Sequence, residues 1–339
     1  MHDDLEIYVA GTASWIPESL PLATAIESGW VPETHQNLGY ESIAIAGDIA
    51  APDMAIRAAR SAVRRSGIPD EEFGLVLHAS CWFQGLEFWP TACYVANESV
   101  GQRAYALDVQ QQCVGGLACV RLATAYLRSG FASTALLTTA DNFSSPAIDR
   151  WNTLANIIFG DVGTALVLST KTGFARLLST VDNAENSLEG FSRGTASLGL
   201  IPGQEQPVRL IERGVQQASR ADAAGAWQRY ESALLRTKDE ALAAAKLEHK
   251  DVTWAVVPFV HRGGGQSENY DVLGFTEEQS LWNFGRHVGH LGAGDHVAGL
   301  NVLLENRALS SGDIVMLIGA GMGFSFSAAI LEILEPPSW

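Results

Sequence analysis

Short apolar runs and longer amphipathic runs alternate through the first half of the chain. Their pattern predicts strands at 7–14, 75–80 and 135–140, helices at 53–66 and 114–129, and a closing segment at 158–169. Strands that alternate with helices imply sheets covered by helices on both faces. The sequence therefore predicts an α/β protein.

The chain matches itself at an offset of 180 residues. Residues 74–80 fall on 254–260, and residues 117–137 fall on 297–317. Matched apolar strands can also coincide by chance in an α/β protein. We interpret the offset as a duplication into halves 1–172 and 173–339, packed as layers of helix, sheet, helix, sheet and helix. Cys113 then lies opposite Ala293, so the chemistry is expected between the halves.

An uncharged stretch at 314–331 has the length of a membrane span. Gly319, Gly321 and Gly323 interrupt it, and Ser325 and Ser327 follow them. Such residues indicate two buried strands joined by a tight turn instead.

Composition narrows the class of protein. A hydrophobic fraction of 47% with 18% charged residues predicts a large buried core, and no linker-like segment divides the 339 residues. A net charge of −16 argues against nucleic acid as a partner. The first six residues lack the pattern of a signal peptide, and four cysteines do not form a disulfide framework, so a cytoplasmic location is expected.

Cys113 is the strongest candidate for chemistry. It comes directly after a predicted strand and begins the helix at 114–129. The positive end of a helix lowers the pKa of a thiol and favours the thiolate. The position predicts a nucleophile, with a buried structural cysteine as the alternative. Cys81, Cys93 and Cys119 are expected to be core residues.

Four segments together resemble the thiolase superfamily and, within it, the ketoacyl-synthase III branch. They are Gly11 to Glu18, Asp108 to Cys119, Ile157 to Leu166 and Gly319 to Phe326. The resemblance implies the duplicated five-layer thiolase fold, a homodimer, and acylation of Cys113 by a thioester. It also implies an oxyanion hole made by the backbone N–H groups of Cys113 and Gly323.

The donor expected from this resemblance is acyl-CoA or the phosphopantetheine thioester of an acyl carrier protein. No permanently bound cofactor, metal ion or membrane partner is expected. The arginine-rich segment of the family is not visible at 31–46, which leaves the choice between coenzyme A and a carrier protein open.

The sequence departs from the condensing members of that branch at two places. Those enzymes pair the cysteine with a His from Pro-His-Gln-Ala-Asn and an Asn from Gly-Asn-Thr-Ser. Here Phe259 stands where the His is expected, with His261 two residues later, and His290 replaces the Asn. Asp295 follows at the expected N-cap of a helix.

Cys113, His290 and Asp295 therefore form a candidate triad, in which the carboxylate orients the imidazole and strengthens it as a base. The alternatives are that Asp295 only caps its helix and that His290 is structural.

A base next to the cysteine suits transfer of an acyl group to a hydroxyl. The pattern resembles ketosynthase III-like acyltransferases of polyketide and antibiotic pathways, so the expected acceptor is a sugar or polyketide hydroxyl or another carrier. Two alternatives stay open: a decarboxylative condensing enzyme in which His261 and His290 stabilise an enolate, and a non-catalytic partner subunit. Retention of Cys113 argues against the latter.

The resemblance also implies substrate contacts outside the triad. Trp89 would close the acyl pocket from the partner subunit, Arg150 would contact the pantetheine or nucleotide end of the donor, and Trp30 would stack there. Plain packing for Trp89 and a surface position for Arg150 are the alternatives. Phe259 and His261 are further candidates for substrate contact.

Overall fold

The computed structural model describes residues 5–195, 197–220, 223–261 and 269–339. Its strands are β1 (Tyr8–Trp15), β2 (Ser19–Pro21), β3 (Ser42–Ala44), β4 (Phe73–Ala79), β5 (Tyr105–Val109), β6 (Thr134–Asp141), β7 (Val162–Ser169), β8 (Ala175–Ala184), β9 (Trp254–Val256), β10 (Ile314–Gly321) and β11 (Ser325–Ile333). Within these ranges we find no helix with the length and apolar character that crossing a membrane requires.

The helices are α1 (Leu22–Glu27), α2 (Ala51–Ser66), α3 (Thr91–Ser99), α4 (Gly115–Arg128), α5 (Gly190–Arg193), α6 (Leu210–Ala218), α7 (Ala223–Ala245), α8 (Asn269–Leu273), α9 (Glu277–Ser280), α10 (Trp282–Gly285) and α11 (Asp295–Glu305). The predicted helix at 53–66 is α2, which ends at Ser66 and is followed by Gly67. That glycine has a φ of 64°, the left-handed conformation in which helices commonly terminate.

The strands of each half form a similar half-sheet. In the described ranges the order is β5-β4-β6-β7-β1 for the first half and β8-β11-β10-β9 for the second. Pairing of β1 with β8 at two positions joins them edge to edge. Strand β4 runs parallel to both β5 and β6, whereas β7 and β11 each run antiparallel to both of their neighbours. A separate pair is formed by β2 and β3.

The predicted duplication is confirmed by matching elements. Helices α4 and α11 begin at Gly115 and Asp295, and strands β6 and β10 begin at Thr134 and Ile314, both pairs separated by the offset found in the sequence. The stretch at 314–331 forms β10 and β11 around a tight turn, as predicted.

The predicted five layers are confirmed by how the helices pack. Helices α2 and α3 cover the outer face of the first half-sheet, and α7 covers the outer face of the second. Helices α4 and α11 lie between the half-sheets and contact both. Every residue of β6 and β7 is buried, as strands covered on both faces require. This packing brings the first turns of α4 and α11 to the centre of the molecule.

Candidate active site

Cys113 lies in a tight bend between β5 and α4. The preceding residue, Gln112, has a φ of 51°, which is unusual for a residue with a side chain. Gly321 makes room for this bend, because a Cβ added there would lie 2.9 Å from the Gln111 carbonyl oxygen. The result is a half-buried cysteine immediately before the N-terminus of a long helix.

His290 faces Cys113 from the other half of the chain. Its Nε2 lies 3.0 Å from the Cys113 Sγ, and its Nδ1 lies 2.5 Å from Oδ2 of Asp295. The backbone of His290 is held on both sides, since its N–H donates to the Ile158 carbonyl at 2.8 Å and its carbonyl accepts from Gly160 at 2.9 Å. The imidazole is therefore held between a sulfur and a carboxylate.

Asp295 is the first residue of α11 and not its N-cap, so the predicted capping position is wrong. Gly294 precedes the helix, and the Asp295 side chain turns back toward the chain before it. Its Oδ1 accepts from the Leu291 N–H at 2.7 Å, and its Oδ2 accepts from the Phe259 N–H at 2.9 Å. These bonds direct the carboxylate at His290 instead of at the helix.

Charge at this centre favours a thiolate and an imidazolium. A hydrogen bond from the Cys81 thiol lowers the pKa of Cys113 most, burial opposes it, and His290 lowers the pKa further, leaving it well below that of an ordinary thiol. Burial disfavours the imidazolium, but the charges of Asp295 and Cys113 outweigh it and hold the pKa of His290 well above its usual value.

A cavity of about 350 Å³ opens in front of the Cys113 sulfur. Most of its wall is apolar, and Gly323 lies in that wall with a φ of 86°. The Gly323 N–H donates to the Ser192 hydroxyl oxygen at 3.3 Å. The residues that line the cavity are Cys81, Trp82, Gln112, Cys113, Phe143, Ile148, Thr153, Phe159, Ser192, Val208, Leu210, Arg213, Met322 and Gly323.

Comparison with known proteins assigns the chain to a family. The family model described as 3-oxoacyl-[acyl-carrier-protein] synthase III matches residues 107–185, and its C-terminal counterpart matches residues 242–333. A solved structure named ChlB3 and described as an acyltransferase is 33% identical, covers 98% of this chain and 99% of its own, and superimposes with a TM-score of 0.93. The chain belongs to the ketoacyl-synthase III family.

More distant members share the fold. The β-ketoacyl-[acyl-carrier-protein] synthase III of Sulfurovum sp. (strain NBC37-1) is 24% identical over 294 residues, which are 84% of this chain and 82% of that protein. The crystal structure of 3-oxoacyl-[acyl-carrier-protein] synthase III from Aquifex aeolicus VF5 is 20% identical, with a TM-score of 0.78 over 96% of this chain and 99% of that one. The thiolase fold predicted from the sequence is thereby confirmed.

In the condensing enzymes a histidine at the position of Phe259 pairs with the cysteine. Neither Phe259 nor His261 is seen in such a pair with Cys113 in the part of the chain that the structure describes. The Phe259 side chain is 1% exposed and packs edge-on against Phe284, so it does not line the described cavity at Cys113. Phe259 reaches the site through its N–H, and its predicted substrate contact is wrong. His261 lines a neighbouring cavity of about 390 Å³, where its ring lies 5.4 Å from that of Trp282.

The predicted role of Arg150 at the donor is wrong, because its guanidinium is buried and occupied. It is 7% exposed and forms two parallel bonds to the carboxylate of Asp161, at 2.9 and 3.0 Å. The same arginine donates to the Phe159 carbonyl at 3.2 Å. Arg150 therefore holds the segment that hydrogen-bonds to the backbone of His290.

The two predicted tryptophan contacts lie away from Cys113 within this chain. Trp30 is 54% exposed and does not line either cavity described so far. Trp89 is half-buried, with its ring 5.5 Å from that of Tyr94 on α3. Its neighbour Phe88 is fully exposed with a φ of 54°.

Of the three cysteines expected in the core, only Cys119 is buried there. Cys93 is exposed on α3, and Cys81 is half-buried in the wall of the cavity at Cys113, so the expectation is wrong for both.

Three groups at the site were missed by the sequence analysis: Cys81, Asp141 and Ser192. Cys81 comes just after β4 and Asp141 ends β6. Because β4 runs parallel to both β5 and β6, these strands end at the same edge of the sheet as β5, the strand before Cys113. That shared edge was the signal that could have identified both. For Ser192 we find no such signal, since it lies on the short helix α5, distant in sequence.

Proposed function

We propose that the chain is an acyltransferase that carries the acyl group on Cys113 and passes it to a hydroxyl or to another carrier. The observation that carries this proposal is the hydrogen-bonded chain from Cys113 through His290 to Asp295. A carboxylate-linked imidazole can both give and take a proton, which hydroxyl acylation needs. Enolate formation in the condensing enzymes, by contrast, uses two neutral donors, and the buried side chain of Phe259 stands at the position of one of them.

In the first half-reaction the Cys113 thiolate attacks the carbonyl carbon of the donor thioester. The oxyanion accepts hydrogen bonds from the N–H groups of Cys113 and Gly323, where it takes the place of the Ser192 hydroxyl at Gly323. When the carbon–sulfur bond of the donor breaks, the His290 imidazolium gives its Nε2 proton to the leaving thiolate. The products are acyl-Cys113, neutral His290 and the free donor thiol.

In the second half-reaction neutral His290 takes the proton of the acceptor hydroxyl while its oxygen attacks the acyl carbon. The bond to the Cys113 sulfur breaks, and the sulfur leaves as a thiolate beside the new imidazolium. This step restores the ion pair that the resting site favours. The Asp295 carboxylate stabilises the His290 imidazolium in both half-reactions. The N–H groups of Leu291 and Phe259 hold that carboxylate in place.

The two neighbouring cavities suit the two ends of an acyl thioester. The cavity at Cys113 has aromatic and aliphatic walls from Trp82, Phe143 and Phe159, which favour an uncharged, apolar acyl group. The second cavity, which His261 lines, adjoins it through consecutive residues, Gly323 in one wall and Phe324 in the other. We assign the second cavity to the donor arm of an acyl-CoA or of a carrier-bound phosphopantetheine.

The test incubates the protein with acyl-CoA, malonyl-CoA or acyl carrier protein, together with hydroxyl acceptors, and weighs intact protein and products. We expect an acyl adduct on Cys113 by peptide mapping and an ester product without release of carbon dioxide. Cys113→Ala should give no adduct, whereas Cys93→Ala, an exposed site on α3, should behave as the wild type. Carbon dioxide release with a new carbon–carbon bond, an adduct on another cysteine, or no adduct at all would contradict the proposal.

We further propose that two copies of the chain associate through the β5 edge of the sheet. Two aromatic side chains are exposed at this edge in the described chain, namely Tyr105 on β5 and Phe131, whose ring lies 5.8 Å from that of Tyr105. An apolar patch next to an unpaired strand is typical of an interface.

Sedimentation should therefore give a homodimer, and Tyr105→Asp on β5 should shift it toward the monomer, because a carboxylate would be buried against the second copy. Trp30→Asp is the matched control, since Trp30 is an aromatic residue of similar exposure, 54% against 51% for Tyr105, in the loop after α1. A wild-type protein that sediments as a fully active monomer would rule the interface out.

A further inference from the structure

A third cavity adjoins the one at Cys113 and has no place in the reaction described above. Its volume is about 610 Å³, against about 350 Å³ for the cavity at the sulfur. The two cavities share Trp82, Val208 and Arg213 in their walls, whereas Cys113 and Gly323 line only the smaller one. The third cavity therefore lies farther from the reacting sulfur than the cavity at Cys113 does.

The three cavities lie in series. The cavity assigned to the donor arm meets the Cys113 cavity at Gly323 and Phe324, and it shares no lining residue with the third cavity. An acyl thioester whose carbonyl lies at Cys113 and Gly323 has its donor arm on one side of that point. Its acyl group points the other way, toward the third cavity.

The junction between the Cys113 cavity and the third cavity is held by hydrogen bonds and an ion pair. The Trp82 N–H donates to Oδ1 of the buried Asp141 at 2.8 Å. The Arg213 guanidinium pairs with the carboxylate of Glu205 and donates to the Ser192 carbonyl at 3.3 Å. These contacts fix both sides of the junction, so the relative position of the two cavities is built into the fold.

The third cavity offers polar groups that the Cys113 cavity does not. Among the described residues, the side chains of Glu87, Gln204 and Gln206 line it and form no hydrogen bond or ion pair with the rest of the chain. A glutamine amide both donates and accepts hydrogen bonds, so the two glutamines suit hydroxyl groups. The wall thus changes from apolar beside Cys113 to polar beyond the junction.

The charges in the third cavity disfavour an anion. Its described lining has two carboxylates, Glu87 and Glu205, and one cation, Arg213. Because Arg213 is paired with Glu205, the charge of Glu87 is left uncompensated. A cleft with one excess sign of charge repels ligands of the same sign.

We propose that the third cavity binds the far end of the acyl group and selects an end that is polar but not anionic. The apolar part of the acyl group occupies the Cys113 cavity, and the chain passes Trp82 and Arg213 to place hydroxyl groups at Gln204 and Gln206. This inference rests on the proposed function and names the class of acyl group: long, apolar next to the carbonyl, and hydroxylated at its far end.

The test measures the second-order rate constant for acylation of Cys113 by mass spectrometry of the intact protein. The donors are straight-chain acyl-CoA thioesters from butanoyl to tetradecanoyl, each ending in a methyl, a hydroxyl or a carboxylate group. A terminal hydroxyl should slow the short members, because it is buried in the apolar cavity. In the longest members it should accelerate acylation about fivefold, as expected for an ordinary hydrogen bond. The carboxylate-ended members should be slower than the hydroxyl-ended ones.

Three changes in the third cavity should alter this preference. The double variant Gln204→Leu and Gln206→Leu should lose the gain from the hydroxyl; both residues are exposed, so the fold is kept. Glu87→Gln should narrow the difference between hydroxyl and carboxylate ends. Ala147→Phe fills part of the third cavity and should lower the ratio of long-chain to short-chain rates. Gln36→Leu is the control, since Gln36 is exposed and lies outside the three cavities.

Equal rates for methyl and hydroxyl ends at every length would overturn the proposal, as would faster acylation by the carboxylate-ended thioesters. A hydroxyl gain that survives the double glutamine variant, or a wild-type ratio of long-chain to short-chain rates in Ala147→Phe, would overturn it as well.

Binding to Cys113→Ala separates this proposal from the proposed function. That variant cannot be acylated, so calorimetric titration with the same thioesters tests the cavities without the reaction. If it binds the long hydroxyl-ended thioesters best while the wild type forms no acyl adduct, the proposed function is wrong and the third cavity keeps its assignment. If the wild type is acylated without a gain from the hydroxyl, the assignment is wrong and the function stands.

Discussion

Asp295→Asn should lower acyl transfer by roughly 10²-fold to 10⁴-fold. The two oxygens of Asp295 accept from Leu291, Phe259 and His290, whereas a carboxamide has one acceptor oxygen. If that oxygen keeps its bond to Leu291, the amide N–H₂ faces His290 Nδ1 and donates to it. The imidazole then carries its proton on Nε2, the nitrogen that must take the proton of the acceptor.

The pH profile separates this effect from a loss of structure. The charge of Asp295 raises the pKa of His290, so its removal lowers that pKa, and the acid limb of the transfer profile should move to lower pH while the plateau falls. Asp313→Asn is the control, because Asp313 also accepts a backbone N–H, from Ser310, in a remote turn. If Asp295→Asn transfers acyl groups at the wild-type rate across the same pH range, then Asp295 has only a structural role.

His290→Asn should lower the rate of acyl transfer to a hydroxyl by roughly 10²-fold to 10⁴-fold, and lower the rate of Cys113 acylation by less. Asparagine can donate to the thioester oxygen but cannot accept the proton of an alcohol at working pH. The Cys113 thiolate is still stabilised by the positive N-terminal end of α4. Rapid mixing with the donor should therefore show an acyl-enzyme that accumulates and is not passed to the acceptor.

His287→Asn is the control for that variant. His287 is three residues earlier in the chain, with about half of its side chain exposed, and faces Glu41 at the surface. It should transfer at the wild-type rate. Equal transfer by His290→Asn and the wild type would show that another group removes the proton, and a carbon–carbon product would point to condensation.

Much of the architecture was predictable because the chain repeats itself. The offset between the halves placed α4 against α11 and β6 against β10, and the glycines at 319, 321 and 323 predicted the turn between β10 and β11. The juxtaposition of Cys113, His290 and Asp295 followed from the same offset together with the family resemblance. Helix α7 was not predicted, because its alanine-rich sequence shows little hydrophobic periodicity.

The errors share a physical cause, which is that side-chain direction depends on tertiary contacts. Asp295 has the residue type and position of a helix cap, yet the nearby N–H groups of Leu291 and Phe259 redirect it. The sequence around Arg150 is that of a surface cation. In the structure Arg150 is buried and forms an ion pair with Asp161 of the Phe-Gly-Asp segment. The hydrogen-bond and ion-pair partners of these side chains are set by the tertiary fold. The sequence pattern around each residue does not identify them.

The meeting of two helix N-termini sets the charge balance of the centre. Each helix end acts as roughly half a positive charge, and α4 and α11 bring theirs to Cys113 and Asp295. With the imidazolium they offset the thiolate and the Asp295 carboxylate, so the buried group is close to neutral. A substitution that removes one of these charges leaves an opposite charge without a partner in the protein interior, which solvates it poorly. Substitutions here should be tolerated in charge-matched pairs, with His290 and Asp295 changing together.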